Sequence, residues 1–505
     1  MNTRRSFLSK SSLAFAASGG FAQLGVGSTL AADGGSGEGG ASPQKIIHLV
    51  ADGMSMGTLT CADYLSQQVR GRGLVWTQLL NQSGVVNALM NMRSLNSQVT
   101  DSSAASSSWG SGSRIANGAV NQLPDGRSLK TLYEVLGEAG WKRGLVTTTE
   151  LTHATPAGFA ASVAKRGMGE KIAEQYLQRG VDVLLGGGRK HFASSKRKDK
   201  KDLYAQYQKK GYTVMQNKSE LEKADLDKPW VGTFSDSHLP YTVDYLNDAE
   251  LQKTVPTLAE MAKRALQKLG RSSRFILQVE GGRVDHACHT CDAIGAFRDQ
   301  IAFDEAVEEC LAYQREHPDT LVVITTDHGN GNPGLNGAGP GYGQSPTLFA
   351  HLKEATASFS VMLKRMGKTP TTDQIRKVIV ESTGYKVPKS KVEQLAPYFE
   401  KKGDPLYSLL NSVVAQMGQL MGNHWGIGWS ANMHTADYVP LTAVGPGAAR
   451  FSGFIQNTDV FHHYLAFAGI DFKNPTMPLM AENSSSHSLS PEAQEQVDDY
   501  QQVMV

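Results

Sequence analysis

The residue types best suited to chemistry occur in short, separated groups. Asp285-His286-Ala287-Cys288-His289 sets a carboxylate and an imidazole at positions i and i+4. On a helix these side chains share one face about one turn apart, and carboxylate with imidazole is a donor pair that suits Zn²⁺. The plain alternative is a solvated helix face, where the same spacing is common. Asp327-His328 follows a run of buried type, Leu321-Val322-Val323-Ile324-Thr325-Thr326. An unpaired charge is costly there unless a metal neutralises it, although an Asp capping a turn beside a backbone-bonded His would read the same way. Asp52 ends another such run, and His434-Thr435 is a lone pair of polar residues. Finally, Val99-Thr100-Asp101-Ser102-Ser103-Ala104-Ala105-Ser106-Ser107-Ser108-Trp109-Gly110 surrounds a hydroxyl with small residues. With Asp101 as N-cap, Ser102 would begin a helix, where backbone amides favour an anion or an alkoxide. A serine-rich surface turn is the competing reading.

Residues this far apart need a scaffold that brings strand ends together. Ile46-Ile47-His48-Leu49-Val50-Ala51, Gly144-Leu145-Val146-Thr147, Val181-Asp182-Val183-Leu184-Leu185, Phe275-Ile276-Leu277-Gln278-Val279 and the 321–326 run all end at Gly, Asp, Glu or His. Near-continuous Val/Ile/Leu runs fit strands covered on both faces. Helical periodicity lies between them, clearest over 293–313, where Ile294, Phe297, Ile301, Val307 and Leu311 mark one apolar face. The expected fold class is therefore α/β, a large, mostly parallel central sheet flanked by helices, with ligands beyond the carboxyl ends of the strands. One catalytic domain is expected over 45–475. The polar, lysine-rich 189–245 stretch reads as an exposed insertion. The 330–424 stretch, with helical patterns at 373–382 and 406–421, reads as an inserted cap or crown-like segment. The 482–505 tail is polar.

Bulk composition excludes little. In 505 residues, 50 basic and 48 acidic side chains leave a net charge of +2, and no long basic run suggests specific nucleic-acid binding. Thr3-Arg4-Arg5-Ser6-Phe7-Leu8, a weakly apolar middle and Ala31-Ala32 form a cleavable export signal over 1–32, followed by a Gly-rich linker over 33–44. The adjacent arginines resemble a twin-arginine signal. The segment is too diluted for a membrane anchor, so a periplasmic or secreted chain without an anchor is expected after signal removal. Cys61, Cys288, Cys291 and Cys310 are too few for a disulfide scaffold. Cys288 and Cys291 are expected as a local disulfide or as free thiols.

Taken together, the motifs are far more specific than any one of them. Asp52-Gly53-Met54, Thr100-Asp101-Ser102 through Trp109, Ala154-Thr155-Pro156-Ala157, Glu280-Gly281-Gly282-Arg283-Val284-Asp285 through His289, Thr326-Asp327-His328-Gly329 and His434-Thr435 occur in this order. The chain thereby resembles the alkaline phosphatase family over roughly residues 45 to 445. That resemblance implies hydrolysis of phosphate monoesters through a phosphoserine on Ser102 at a site with two Zn²⁺ ions. It implies one zinc held by Asp285, His289 and His434, and another by Asp52, Asp327 and His328. A third site, usually Mg²⁺, would use Asp52, Thr155 and Glu280. Arg166 would clamp the phosphate, oriented by Asp101, and homodimerisation is usual for relatives. His153 and His286 flank the third site where other members carry Asp or Lys, so that ion could be Zn²⁺ instead. A phosphodiesterase of the same superfamily is the alternative reading. A sulfatase is disfavoured, because no cysteine here starts a Cys-x-Pro-x-Arg motif.

Overall fold

The computed structural model describes residues 42–337 and 342–480. The expected export signal, most of the Gly-rich linker and the 482–505 tail lie outside the described residues. The strands, in chain order, are β1 (Lys45–Ala51), β2 (Val85–Asn91), β3 (Lys142–Glu150), β4 (Val183–Gly187), β5 (Thr213–Met215), β6 (Trp230–Thr233), β7 (Phe275–Gly281), β8 (Thr320–Thr325), β9 (Gly329–Asn330), β10 (Gly334–Leu335), β11 (Ile427–Gly428), β12 (His434–Thr435), β13 (Val439–Val444) and β14 (Gly453–Gln456). Ten of them form one sheet in the order β14-β2-β13-β8-β1-β7-β3-β4-β6-β5. Only β13 runs antiparallel to its neighbours in that sheet.

The inner strands form because their side chains have apolar partners on both faces. Every residue of β1, β7 and β8 is buried. Ile47, Leu49 and Ala51 face one core, which they share with helices Met56–Arg70, Leu258–Leu269 and Ala293–Glu316. Ile46 and Val50 face the other, with Trp109, Phe159 and Tyr464. Alternation along one strand thus serves two helical layers. The registers keep the site edge level: Val50 lies opposite Glu280 on β7 and Thr325 on β8. Asp52, Glu280 and Asp327 therefore emerge side by side.

Two expectations need correction, and one open alternative is resolved. The 189–245 stretch is not simply an exposed insertion, since it supplies β5 and β6, which extend the sheet to its edge. Its lysines mask an inward set, Tyr204, Tyr207, Tyr212 and Trp230, that packs in the two cores. Helical pattern was expected over 406–421, but the helix is Val413–Trp425, started by Ser412, whose side chain accepts the Ala415 N–H. Cys288 and Cys291 are free thiols, as are Cys61 and Cys310, and all four are buried. Among its described residues the 330–424 region contains five α-helices, Ser345–Ala350, Phe359–Met366, Thr372–Thr383, Lys389–Phe399 and Val413–Trp425. Two short antiparallel pairs, β10 with β11 and β9 with β12, tie its ends together. Among the described residues no helix is long and apolar enough to cross a membrane.

His48 shows what a polar group in this core costs. It is fully buried on β1, with Nδ1 2.8 Å from the Tyr464 hydroxyl and its ring between Trp109 and Phe159. Burial lowers its pKa to about 3. Between pH 6.5 and 3 the unfolded chain takes up a proton that the folded chain refuses, so stability falls as pH falls. This one site contributes up to about 1.4 kcal/mol per pH unit. We predict that His48→Phe costs about 1–3 kcal/mol at pH 8, by stranding the Tyr464 hydroxyl, yet flattens the acid limb. Urea unfolding across pH 4–8 tests this; an unchanged slope would refute it.

Candidate active site

At the carboxyl edge of β8-β1-β7-β3, three groups of ligand-type side chains converge. They are Asp285 with His289 and His434, Asp52 with Asp327 and His328, and Asp52 with His153 and Glu280; within each group the ligand atoms lie within 4.8 Å of one another. Asp285 and His289 are one turn apart on helix Arg283–His289, directly after β7. Their Nε2–Oδ2 separation is 3.3 Å, and His434 Nε2 lies 3.5 Å from Asp285 Oδ1. His289 Nδ1 is 2.8 Å from the Asn432 carbonyl and His434 Nδ1 is 2.9 Å from the Thr100 carbonyl. A carbonyl only accepts, so each Nδ1 must carry the proton. Both Nε2 atoms, 3.0 Å apart, are thereby turned toward the same point, as a shared metal requires.

The second group is buried almost completely. His328 Nε2 lies 3.3 Å from Asp327 Oδ2 and 3.5 Å from Asp52 Oδ1. The Gly53 N–H donates to Asp327 Oδ1 at 3.0 Å. Gly53 has φ +67°, and a Cβ there would run into the Asp285 carboxylate, so only glycine serves at this turn. Burial, reinforced by Asp327, Asp285 and Glu280, pushes the Asp52 pKa well above the usual carboxylate range. Burial likewise raises Asp327 to about 7 and raises Glu280. Among the described residues, Asp52 Oδ1, Asp327 Oδ2, Glu280 Oε1 and His153 Nδ1 are buried without a hydrogen-bond partner. Several carboxylates crowded without enough compensating cations fit divalent cations and little else.

Around the third group, Thr155 Oγ1 lies 3.4 Å from Asp52 Oδ2, and the Thr147 and Thr149 hydroxyls donate to Glu280 Oε2. His153 Nδ1 is 4.0 Å from both Asp52 Oδ2 and Glu280 Oε1. His286 is not one of these grouped ligands: its Nδ1 accepts from Arg283 at 2.7 Å, and its ring packs on His238 at 4.4 Å and edge-on against His153 at 5.3 Å.

Ser102 opens helix Ser102–Ser111, capped by Asp101 through the Ala104 N–H. Its Oγ is 3.3 Å from His328 Nε2, whereas Ser103 Oγ is committed to Asp101 Oδ2 at 2.6 Å. The same Oδ2 takes the Arg166 guanidinium at 3.2 Å and the Gly118 N–H at 2.9 Å. Arg166 Nη2 also reaches His153 Nε2 at 3.3 Å. Every residue of the serine helix is buried, which rules out the surface-turn reading.

Sequence reasoning missed Asn330, whose Nδ2 donates to Asp285 Oδ1 at 2.7 Å, and His238, whose Nδ1 accepts the Glu150 N–H. Neither stands in a pattern, and only tertiary packing brings them in. Cys288 and Cys291 belong to none of the three groups.

A sequence model of the family described as alkaline phosphatase matches residues 43–470. Alkaline phosphatase 3 of Bacillus subtilis is 27% identical over 425 residues, covering 83% of this chain and 87% of its own. The alkaline phosphatase of Escherichia coli is 30% identical over 329 residues, covering 56% of this chain and 70% of its own. The crystal structure of Thermus thermophilus alkaline phosphatase superposes with a TM-score of 0.82 at 34% identity, covering 91% of this chain and 96% of that one.

The buried carboxylates set opposite outcomes for one substitution. After chelation at pH 8, Asp327→Asn should raise the melting temperature by a few degrees, because it removes a buried charge left uncompensated. With Zn²⁺ and Mg²⁺ restored it should lower it, because a ligand is lost. Calorimetry of both forms decides; the same sign in both would sink the reading of this cluster as a cation site.

Proposed function

The chain belongs to the alkaline phosphatase family, and on that premise we propose that Ser102 is the nucleophile of a phosphate monoester hydrolase. Three cation sites surround it: Asp285, His289 and His434; Asp52, Asp327 and His328; and Asp52, Thr155 and Glu280. Two take Zn²⁺, and the third takes Mg²⁺ or, with His153 beside it, Zn²⁺. Bound there, divalent cations supply Lewis acidity that lowers the pKa of a hydroxyl and neutralises charge on phosphoryl oxygens. The observation that carries the reading is the approach of Ser102 Oγ to His328, in the middle of the buried Asp52–Asp327–His328 group.

The chain's own residues then divide the work. Ser102 Oγ attacks phosphorus in line with the departing alcohol, favoured by the amides at its helix N-terminus. A phosphoserine forms as the ester oxygen leaves. Water then attacks the same phosphorus, and Ser102 departs with orthophosphate released. Arg166 bridges two non-bridging oxygens, which its planar fork does and a lysine does not. Asp101 holds that fork by one oxygen and the start of the serine helix by both, so nucleophile and clamp share one anchor. Because a guanidinium only donates, the Arg166 contact requires His153 Nε2 to accept and Nδ1 to hold the proton. Were His153 to join Asp52 and Glu280 as a cation ligand, its Nδ1 would have to give up that proton; shifted to Nε2, it would end acceptance from Arg166.

The 330–424 helices cap the site: their return strand β12 carries His434 opposite Asn330 on β9. Export through the 1–32 signal, a periplasmic or secreted location and a homodimeric assembly complete the proposal.

Ser102→Ala should cut turnover of p-nitrophenyl phosphate by about 10³-fold or more. Ser103→Ala should stay within about tenfold of wild type, since it removes one hydrogen bond to Asp101. Wild-type rates from Ser102→Ala would show that the nucleophile is misassigned. The monoester should also turn over faster than its bis-p-nitrophenyl counterpart; the reverse order would make the protein a diesterase.

A further inference from the structure

Behind the catalytic edge, a cavity of about 240 Å³ lies among helices Met56–Arg70, Thr242–Leu246, Leu258–Leu269 and Ala293–Glu316. Its walls are largely apolar, with Leu239, Val255, Leu258 and Ile301 prominent, and its charged lining includes Arg70, Arg298, Asp299 and Glu305. Most of that charge is committed elsewhere. Asp299 accepts the Thr242 N–H at 3.0 Å. Arg70 donates to Asp304 at 3.0 Å and to Ser66 at 2.9 Å, and lies 3.7 Å from Glu305. Arg298 differs. Its Nε is buried with no hydrogen-bond partner among the described residues, and burial lowers its pKa, with the Glu305 charge only partly opposing. Arg298 is half-buried, its buried Nε lacks an acceptor, and a carboxylate is the partner its fork fits best.

We propose that this cavity is a binding site, distinct from the catalytic centre, for a small organic monocarboxylate with an apolar or aromatic body. The carboxylate pairs with Arg298 and the body lies against Leu239, Leu258 and Ile301. The volume falls below that of drug-sized pockets, which limits the ligand to roughly the size of benzoate. The cavity also reaches Thr148, whose hydroxyl accepts the Gly282 and Arg283 N–H groups just beyond Glu280. A ligand there would touch the back of the turn that presents Glu280.

The test uses the whole metal-loaded enzyme and benzoate, followed by saturation-transfer NMR with excess orthophosphate filling the catalytic centre. Expected is a saturable benzoate signal that orthophosphate does not displace, with no signal from benzylamine. Arg298→Gln should weaken binding about tenfold or more, equivalent to about 1.4 kcal/mol. Ile301→Trp, which fills the cavity without touching the charge, should abolish it, and keeps the test decisive if the first variant folds poorly. Displacement by orthophosphate, equal binding of benzylamine, or wild-type affinity in either folded variant would each overturn the proposal.

Discussion

Asp52, Glu280, Asp285 and Asp327 are buried side by side at one edge of the sheet, and the structure around them is arranged to carry that charge. An isolated buried carboxylate costs several kcal/mol even after relaxation. The fold meets part of this with the Gly53 amide, the Thr147 and Thr149 hydroxyls and the Asn330 amide. These donors are not enough: among the described residues Asp52 Oδ1, Asp327 Oδ2 and Glu280 Oε1 stay buried without a hydrogen-bond partner, and burial raises the pKa of all three groups. Cations must complete the balance, which makes the level register of β8, β1 and β7 a requirement. A one-residue slip would send each carboxylate to the opposite face.

The serine-rich helix answers to the same geometry. Its small residues let it lie directly on helix Ala154–Ala160: a Cβ on Gly110 would strike the Gly158 carbonyl, and Ser106 donates to the Thr155 carbonyl at 2.6 Å. Ser102 and Thr155 therefore sit on two helices packed as one unit. Ser102 and Thr155 cannot shift independently.

Much of this was legible in the sequence because the inner strands are buried on both faces. Their apolar runs stand out, and polar residues at their ends are conspicuous for the same reason. Legibility fell toward the sheet's margins. β2 exposes part of one face, so its run Val85-Val86-Asn87-Ala88-Leu89-Met90 is interrupted, and β5 and β6 are short and set among lysines. At the site, residues next to a strand end were readable, whereas Asn330 and His238 act through contacts made between segments distant in the chain. The hydroxyls of Thr147 and Thr149 look like ordinary strand threonines until β7 places Glu280 beside them.

The acceptors that fix His289 and His434 are main-chain carbonyls of Asn432 and Thr100. A side-chain partner can be lost to a single codon change, but a carbonyl survives any substitution that preserves the path of the chain. The tautomers of these two imidazoles are thus inherited with the fold itself. Lineages can drift far in the surrounding residues while the donor geometry stays the same, so the chemistry ages more slowly than the sequence that encodes it.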